Sequence, residues 1–211
     1  MKYTFAATLL VLVAGVASTS MATTVLKVDT TQLATTSEWV VRANVTAVRD
    51  VDLRHTGRGL FTDVELAITE IYGGKKVPSR YTLRLIGGTG KDGTVLKIPG
   101  MPIFQVGEDV VLFLEKTPLG HIPCGLGQGV FRVLTTPSGD TWVRQATGHV
   151  NLLKRARNGR LAPAHPSFEQ SNMPLDSLIH RIHSALLGEK HPQGVKHPQG
   201  VKHLQGVKHP H

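Results

Sequence analysis

Apolar and polar residues alternate with a period of two along most of the chain between Thr36 and Leu161. Trp39, Val41, Ala43, Val45 and Ala47 interleave with Val40, Arg42, Asn44 and Thr46, which predicts a half-buried strand. The pattern recurs from Phe61 to Ile71, with Val64, Leu66 and Ile68 inward and Asp63, Glu65 and Thr69 outward. Gly73-Gly74-Lys75-Lys76 predicts a turn. Tyr81, Leu83 and Leu85 then carry a third strand with Arg80, Thr82 and Arg84 facing water, and Thr94 to Ile98 a short fourth. Val110 to Leu114 is apolar on both faces, as in a central strand covered from both sides. Val130–Leu134 and Thr141–Arg144 flank Thr136-Pro-Ser-Gly-Asp140, a hairpin signal, and Asn158-Gly159 marks a tight turn between Val150–Lys154 and Arg160–Leu161. Seven or eight short strands punctuated by turns predict a mainly β fold, a small antiparallel barrel or sandwich.

The period changes at either end of this region. Asp29 or Thr30 can cap a single helical turn through Leu33. A longer helix is predicted to open at Ser171-Asn172 with Pro174 in its first turn. Leu175, Leu178, Ile179, Ile182, Leu186 and Leu187 share one face of it, and Gly188 stops it. Such a helix would dock on the sheet and close an open end. Beyond it the chain repeats KHPQGV, KHPQGV, KHLQGV and KHPH, a polar Pro- and Gly-containing tail with nothing to bury.

The N-terminus has the three-part layout of a secretory signal: Met1-Lys2, an uncharged apolar run from Phe5 to Val16, then the small residues leading to Ala22. The apolar run is short of the ~20 residues that a spanning helix needs, so removal is expected after Ala22, with Ala17 as an alternative. No Cys follows the run to carry a lipid. The division is residues 1–22 as signal peptide, 23–188 as the β domain with its C-terminal helix, and 189–211 as the tail. A secreted or periplasmic location follows, with no transmembrane segment after cleavage.

Composition narrows the classes further. One Cys in 211 residues excludes a disulfide framework within the monomer and any multi-cysteine metal site. The net charge of +9 falls to +8 without Lys2, and the basic residues are spread along the chain without a long block. For an exported chain the expected partner is a protein or an anionic polymer, with lipid headgroups as a further counterpart, and not nucleic acid; a merely solvated basic surface is the simpler reading.

The ordered series SEWVVRANVTAV, FTDVELAITEIYGGKKV, a GG loop, GMPIF, GEDVVLFLE and GLGQGVFRV resembles a group of exported bacterial proteins of unknown function. Its first two strands are also similar to the opening of the netrin-like module of tissue inhibitors of metalloproteinases. The resemblance spans about residues 36–135 and implies an OB-like barrel, closed or partly open. Those inhibitors reach the protease zinc through an N-terminal Cys and are stapled by disulfides. Here the expected start near Thr23 has no Cys and Cys124 stands alone, so the inhibitory residues do not carry over.

No paired carboxylates, zinc motif or catalytic triad is recognisable, and the expected activity is binding, not catalysis. His121-Ile-Pro-Cys124 brings a base and a thiol close in sequence, yet a buried small Cys is the simpler reading. Gly125-Leu-Gly-Gln-Gly129 lacks the Lys-Ser/Thr of a phosphate loop and precedes a strand, so it reads as a corner. Gly87-Gly-Thr-Gly90 reads as a turn. His180 and His183 lie one helical turn apart, a spacing that can hold a metal if a third ligand such as His165 joins them, but a solvated helix face is the simpler reading. Asn44-Val-Thr46 matches a glycosylation sequon that matters only in a chain passing through an ER.

The tail carries the strongest chemical signal. His191, His197, His203, His209 and His211 are candidate ligands for Zn, Ni or Cu, since neutral imidazole suits all three. Extended neighbours six residues apart sit ~20 Å apart. Gly and Pro turns allow the chain to close around an ion, because closure entropy grows slowly with loop length. The expected function is therefore that of an exported non-enzymatic binding protein with a metal-binding tail and no required cofactor. A protease inhibitor of netrin-like architecture is the alternative.

Overall fold

The computed structural model describes residues 24–118, 120–147, 151–156, 158–164 and 172–188. The expected signal peptide, the repeat tail with its five histidines, His165 and Ser171 lie outside the described residues.

The elements run β1 (Thr24–Leu26), α1 (Thr30–Thr36), β2 (Trp39–Asp52), a 3-10 turn (Arg54–Thr56), β3 (Leu60–Gly73), β4 (Arg80–Ile86), β5 (Gly88–Thr89) and β6 (Val95–Leu96). They continue with β7 (Asp109–Thr117), β8 (Gly120–Pro123), a 3-10 turn (Leu126–Gly129), β9 (Val130–Thr135), β10 (Thr141–Gln145), β11 (Asn151–Arg155), β12 (Leu161–Pro163), β13 (Asn172–Pro174) and α2 (Leu175–Leu186). The fold is mainly β, as the periodicity predicts.

The main sheet has the order β13-β10-β9-β7-β2-β3-β4, with β8 also paired to β7, and every pairing in it is antiparallel. β2 and β3 each run for 14 residues, and their register shifts between Val40 and Val41, Arg42 and Ala43, and Val45 and Ala47. Such bulges bend and twist a long strand. The bend carries the far edge of the sheet round until β4 lies beside β8. No ladder joins these two strands among the described residues. A separate three-stranded sheet, β1-β11-β12, contains the one parallel pairing among the described residues, between β1 and β11.

The strongly apolar β7 explains the two cores. Val110, Leu112 and Leu114 enter the concave core with Trp39, Val41, Ala43, Val45, Val64, Leu66, Leu83 and Leu85. Phe104 packs there too, with Met101 beside it, so the irregular segment before β7 contributes to this core. Val111 and Phe113 face the other way, into a core built with Phe131, Val143, Leu33 of α1 and Leu178 and Ile182 of α2. The doubly covered strand expected at Val110–Leu114 is therefore central, with helices on one side and the curled sheet on the other.

The helices follow the caps, with two corrections. α1 is a full seven residues because Asp29 accepts from the Gln32 amide at 2.8 Å while the Gln32 side chain returns to the Asp29 amide at 3.2 Å. α2 starts later than its sequence suggests, since Asn172–Pro174 pairs with β10 as β13 and Pro174 is the extended cap. Its buried face is Leu175, Leu178, Ile182 and Ala185, whereas Leu187 is 74% exposed. Leu187 falls off this stripe, while Leu186, 42% exposed at the helix end, keeps its Cδ1 close to Gly73 of β3.

Candidate functional site

The seam between β4 and β8 gathers the chemistry-bearing side chains of the concave side. β2 begins with Trp39, and alternation turns its indole inward. β8 is positioned by its pairing to the end of β7, which aligns His121 with Lys116. The His121 imidazole stacks on Trp39 with ring centroids 3.7 Å apart and planes 20° from parallel. Tyr81 of β4 meets both rings edge-on, at 5.1 Å from Trp39 and 5.4 Å from His121.

Tyr81 is also the polar link across the seam. Its hydroxyl accepts the His121 backbone N–H at 3.1 Å and lies 3.1 Å from Nδ1 of the same residue. One side chain thus satisfies a backbone donor that a neighbouring strand would otherwise take. Glu38 approaches the far side of the imidazole, with Oε2 at 3.3 Å from Nε2, and Lys116 Nζ lies 3.9 Å from the same carboxylate. The Glu38 contact lacks hydrogen-bonding geometry, and among the described residues neither the buried Nε2 of His121 nor the buried Nε1 of Trp39 finds a hydrogen-bond partner. With Trp39 7% and His121 9% exposed, the cluster is a plug in the seam and not a mouth open to a substrate. Gly74 is required beside it, because a Cβ there would sit 2.6 Å from the Glu38 carbonyl and 2.7 Å from the Trp39 ring.

A second polar cluster lies at the end of the β2–β3 hairpin. Arg54 donates to Asp52 at 2.7 Å and to Asp92 at 2.8 Å, tying the hairpin to the Gly90–Thr94 loop. The guanidinium holds both carboxyls well below the usual carboxylate range. Asp52, Arg54, His55 and Lys91 line a shallow depression of about 360 Å³ there. Arg54 is already neutralised by its two partners, which leaves it without charge to offer a ligand.

The other sequence candidates resolve into structural roles. Cys124 is buried in the helix-side core, 3.2 Å from Ser37 Oγ, and burial pushes its thiol pKa up. His121 faces the concave core, so the sheet separates the base from the thiol. Gly125–Gly129 is the expected corner. A Cβ on Gly127 would collide with the Ala146 carbonyl, and one on Gly129 would sit 2.5 Å from the Cys124 carbonyl. Gln128, 1% exposed, is the polar residue that sequence reasoning overlooked. Its Oε1 accepts the Val28 amide at 2.8 Å and its Nε2 donates to the Leu26 carbonyl at 2.9 Å, locking β1 to the body. Nothing local marks it, because its partners lie about a hundred residues away.

His180 and His183 are both exposed on α2, and His183 meets Tyr72 edge-on at 6.3 Å. Among the described residues no three His, Cys, Asp or Glu side chains gather closely enough to hold a metal. His191, His197, His203, His209 and His211 lie outside the described residues. No helix among the described residues is long and apolar enough to cross a membrane. No family model, curated protein or solved structure matches the chain.

Proposed function

We propose that the chain is an exported, non-enzymatic binding protein whose folded body carries a metal-binding tail. The body is read as a partly open OB-like barrel of the netrin-like kind, β8-β7-β2-β3-β4, with the Tyr81 hydroxyl spanning the seam. The observation that carries the functional reading is the recurrence of one unit, Lys-His-(Pro/Leu)-Gln-Gly-Val, three times before the closing KHPH. Each unit sets an imidazole in the same local sequence, and the five imidazoles suit Zn, Ni or Cu better than any hard cation. The repeat begins just after Gly188, where α2 ends in a left-handed cap at φ +71°. The four leucine, isoleucine and alanine side chains that bury α2 make its end a firm anchor for the tail.

Imidazole binds such metals only when neutral, and ordinarily titrates near pH ~6.5. Zinc titrated into the chain at about pH 7.5 is therefore expected to bind to several tail sites, and binding is expected to fall at least tenfold by about pH 5. Affinity unchanged over that range would contradict imidazole ligation.

A further inference from the structure

The three-stranded sheet β1-β11-β12 has one face against the body and one face bare. Its register places Leu26 beside Leu153, Leu153 beside Pro163, and Arg155 beside Leu161. Neighbouring residues in a sheet point to the same side, so Leu26, Leu153, Arg155, Leu161 and Pro163 share one face. The opposite face carries Val25, Leu152, Ala162 and, towards the hairpin tip, Lys154, and Leu152 is buried. On the bare face Leu26 is 49% exposed and Leu161 53% exposed. No element among the described residues covers them.

The rim of that face is basic. The β11–β12 hairpin turns tightly at its tip, where the Ala156 amide donates to the Arg160 carbonyl at 2.8 Å and the Arg160 amide to Asn158 Oδ1 at 3.1 Å. Arg155 and Arg160 are exposed around this tip, and Arg155 Nη1 donates to the Gly159 carbonyl at 3.1 Å. From Thr141 to Phe168 the sequence holds no Asp or Glu, so the hairpin carries no acid of its own to neutralise these charges.

We propose that this face docks on an anionic lipid surface. The two features are useful together only at such a surface. Aliphatic side chains gain by entering the boundary between headgroups and acyl chains, while Lys and Arg gain from the negative potential just outside it. A soluble polyanion would engage the basic rim and leave Leu26 and Leu161 in water. The pairing of β1 with β11 and the bonds from Gln128 hold the face preformed, so docking orders little new chain. The inference rests on reading the body as a binding module and not on the tail, so loss of metal binding would leave it standing.

The test is sedimentation of the chain from Thr23 to His211 with vesicles of equimolar phosphatidylglycerol and phosphatidylcholine, and with phosphatidylcholine alone. Binding to the anionic vesicles is expected, with little to the neutral ones. Each basic side chain near such a surface is worth about 1 kcal/mol, so the pair Arg155→Gln and Arg160→Gln should weaken binding roughly 30-fold. The pair Leu26→Ser and Leu161→Ser should weaken it on the order of tenfold. Replacing the four tail lysines by Gln should leave most of the binding in place. All these positions lie on exposed surface or in the tail, and far-ultraviolet circular dichroism checks that the fold is kept. Anionic binding untouched by both body pairs, or abolished by the tail substitutions alone, would overturn the proposal. So would equal binding of soluble polyphosphate with no effect of the leucine pair, which would assign the rim to a soluble polyanion.

Discussion

Gly129→Ala is expected to destabilise the chain by roughly 3–5 kcal/mol, although it adds a single methyl group. That methyl carbon would lie 2.5 Å from the Cys124 carbonyl oxygen, 2.8 Å from the Cys124 nitrogen and 2.9 Å from the Phe113 carbonyl oxygen. All three neighbours are backbone, so no side chain can swing away to make room. The Cys124 amide also donates to Phe113 at 2.8 Å, and moving either strand would break that bond. Gly139 is the control. Its φ of +92° is unfavourable for alanine, but nothing lies within 4 Å of the added carbon. Gly139→Ala should cost only about 1–2 kcal/mol, the ordinary left-handed penalty. Urea unfolding of the two variants compares them directly. A Gly129 variant no less stable than the Gly139 variant would mean that the corner does not pack as described.

Gln128→Leu is the second large effect, expected at about 2–4 kcal/mol, and it acts through unmet hydrogen bonds and not through volume. The leucine nearly fills the space but leaves the Val28 amide and the Leu26 carbonyl without their partners at 2.8 and 2.9 Å. Both groups belong to the segment that joins β1 to the body, so the damage should concentrate there. Hydrogen exchange at Val25 to Val28 is expected to accelerate well before the amides of β7 respond. Uniform acceleration across the whole chain would show instead that β1 is not a separately anchored strand. Gln128→Glu should be at least as harmful, since it removes the donor to Leu26 and buries a carboxylate in its place.

How much of this was readable in the residues depends on the length of each element. β2, β3 and β4 announce themselves because five or more alternating positions make a period of two hard to mistake, and β7 by its unbroken apolar run from Val110 to Leu114. β1, β8 and β13 are strands of three or four residues, too short to carry a period, and are strands only because a neighbour is there to pair with. Asn172–Pro174 illustrates the conflict: Asn and Pro read locally as a helix start, and the edge of β10 takes them as a strand. Leu187 lies off the apolar stripe at the helix cap, which a list of apolar positions conceals. The seam cluster was illegible for another reason. Trp39, Tyr81 and His121 come from three separate strands, and only the curl of β2 and β3 brings them within ring contact. By contrast the corner at Gly125–Gly129 could be read from glycine spacing, and the tail from simple repetition. The bare basic face lies between these cases, since its turn is visible at Asn158-Gly159 but its leucines gain meaning only from the register of three strands.

The measurement that bears most directly on the proposed function is calorimetric titration of Zn²⁺ and Ni²⁺ at about pH 7.5, where most imidazoles are neutral. The chain from Thr23 to His211 is compared with the same chain ending at Gly188. Several binding events in the longer form and none in the shorter one are predicted, with the heat lost in proportion as His191, His197, His203, His209 and His211 are replaced. Equal binding by the form ending at Gly188 would contradict the account and move the metal to His180 and His183 on α2, and no binding by either form would contradict it outright.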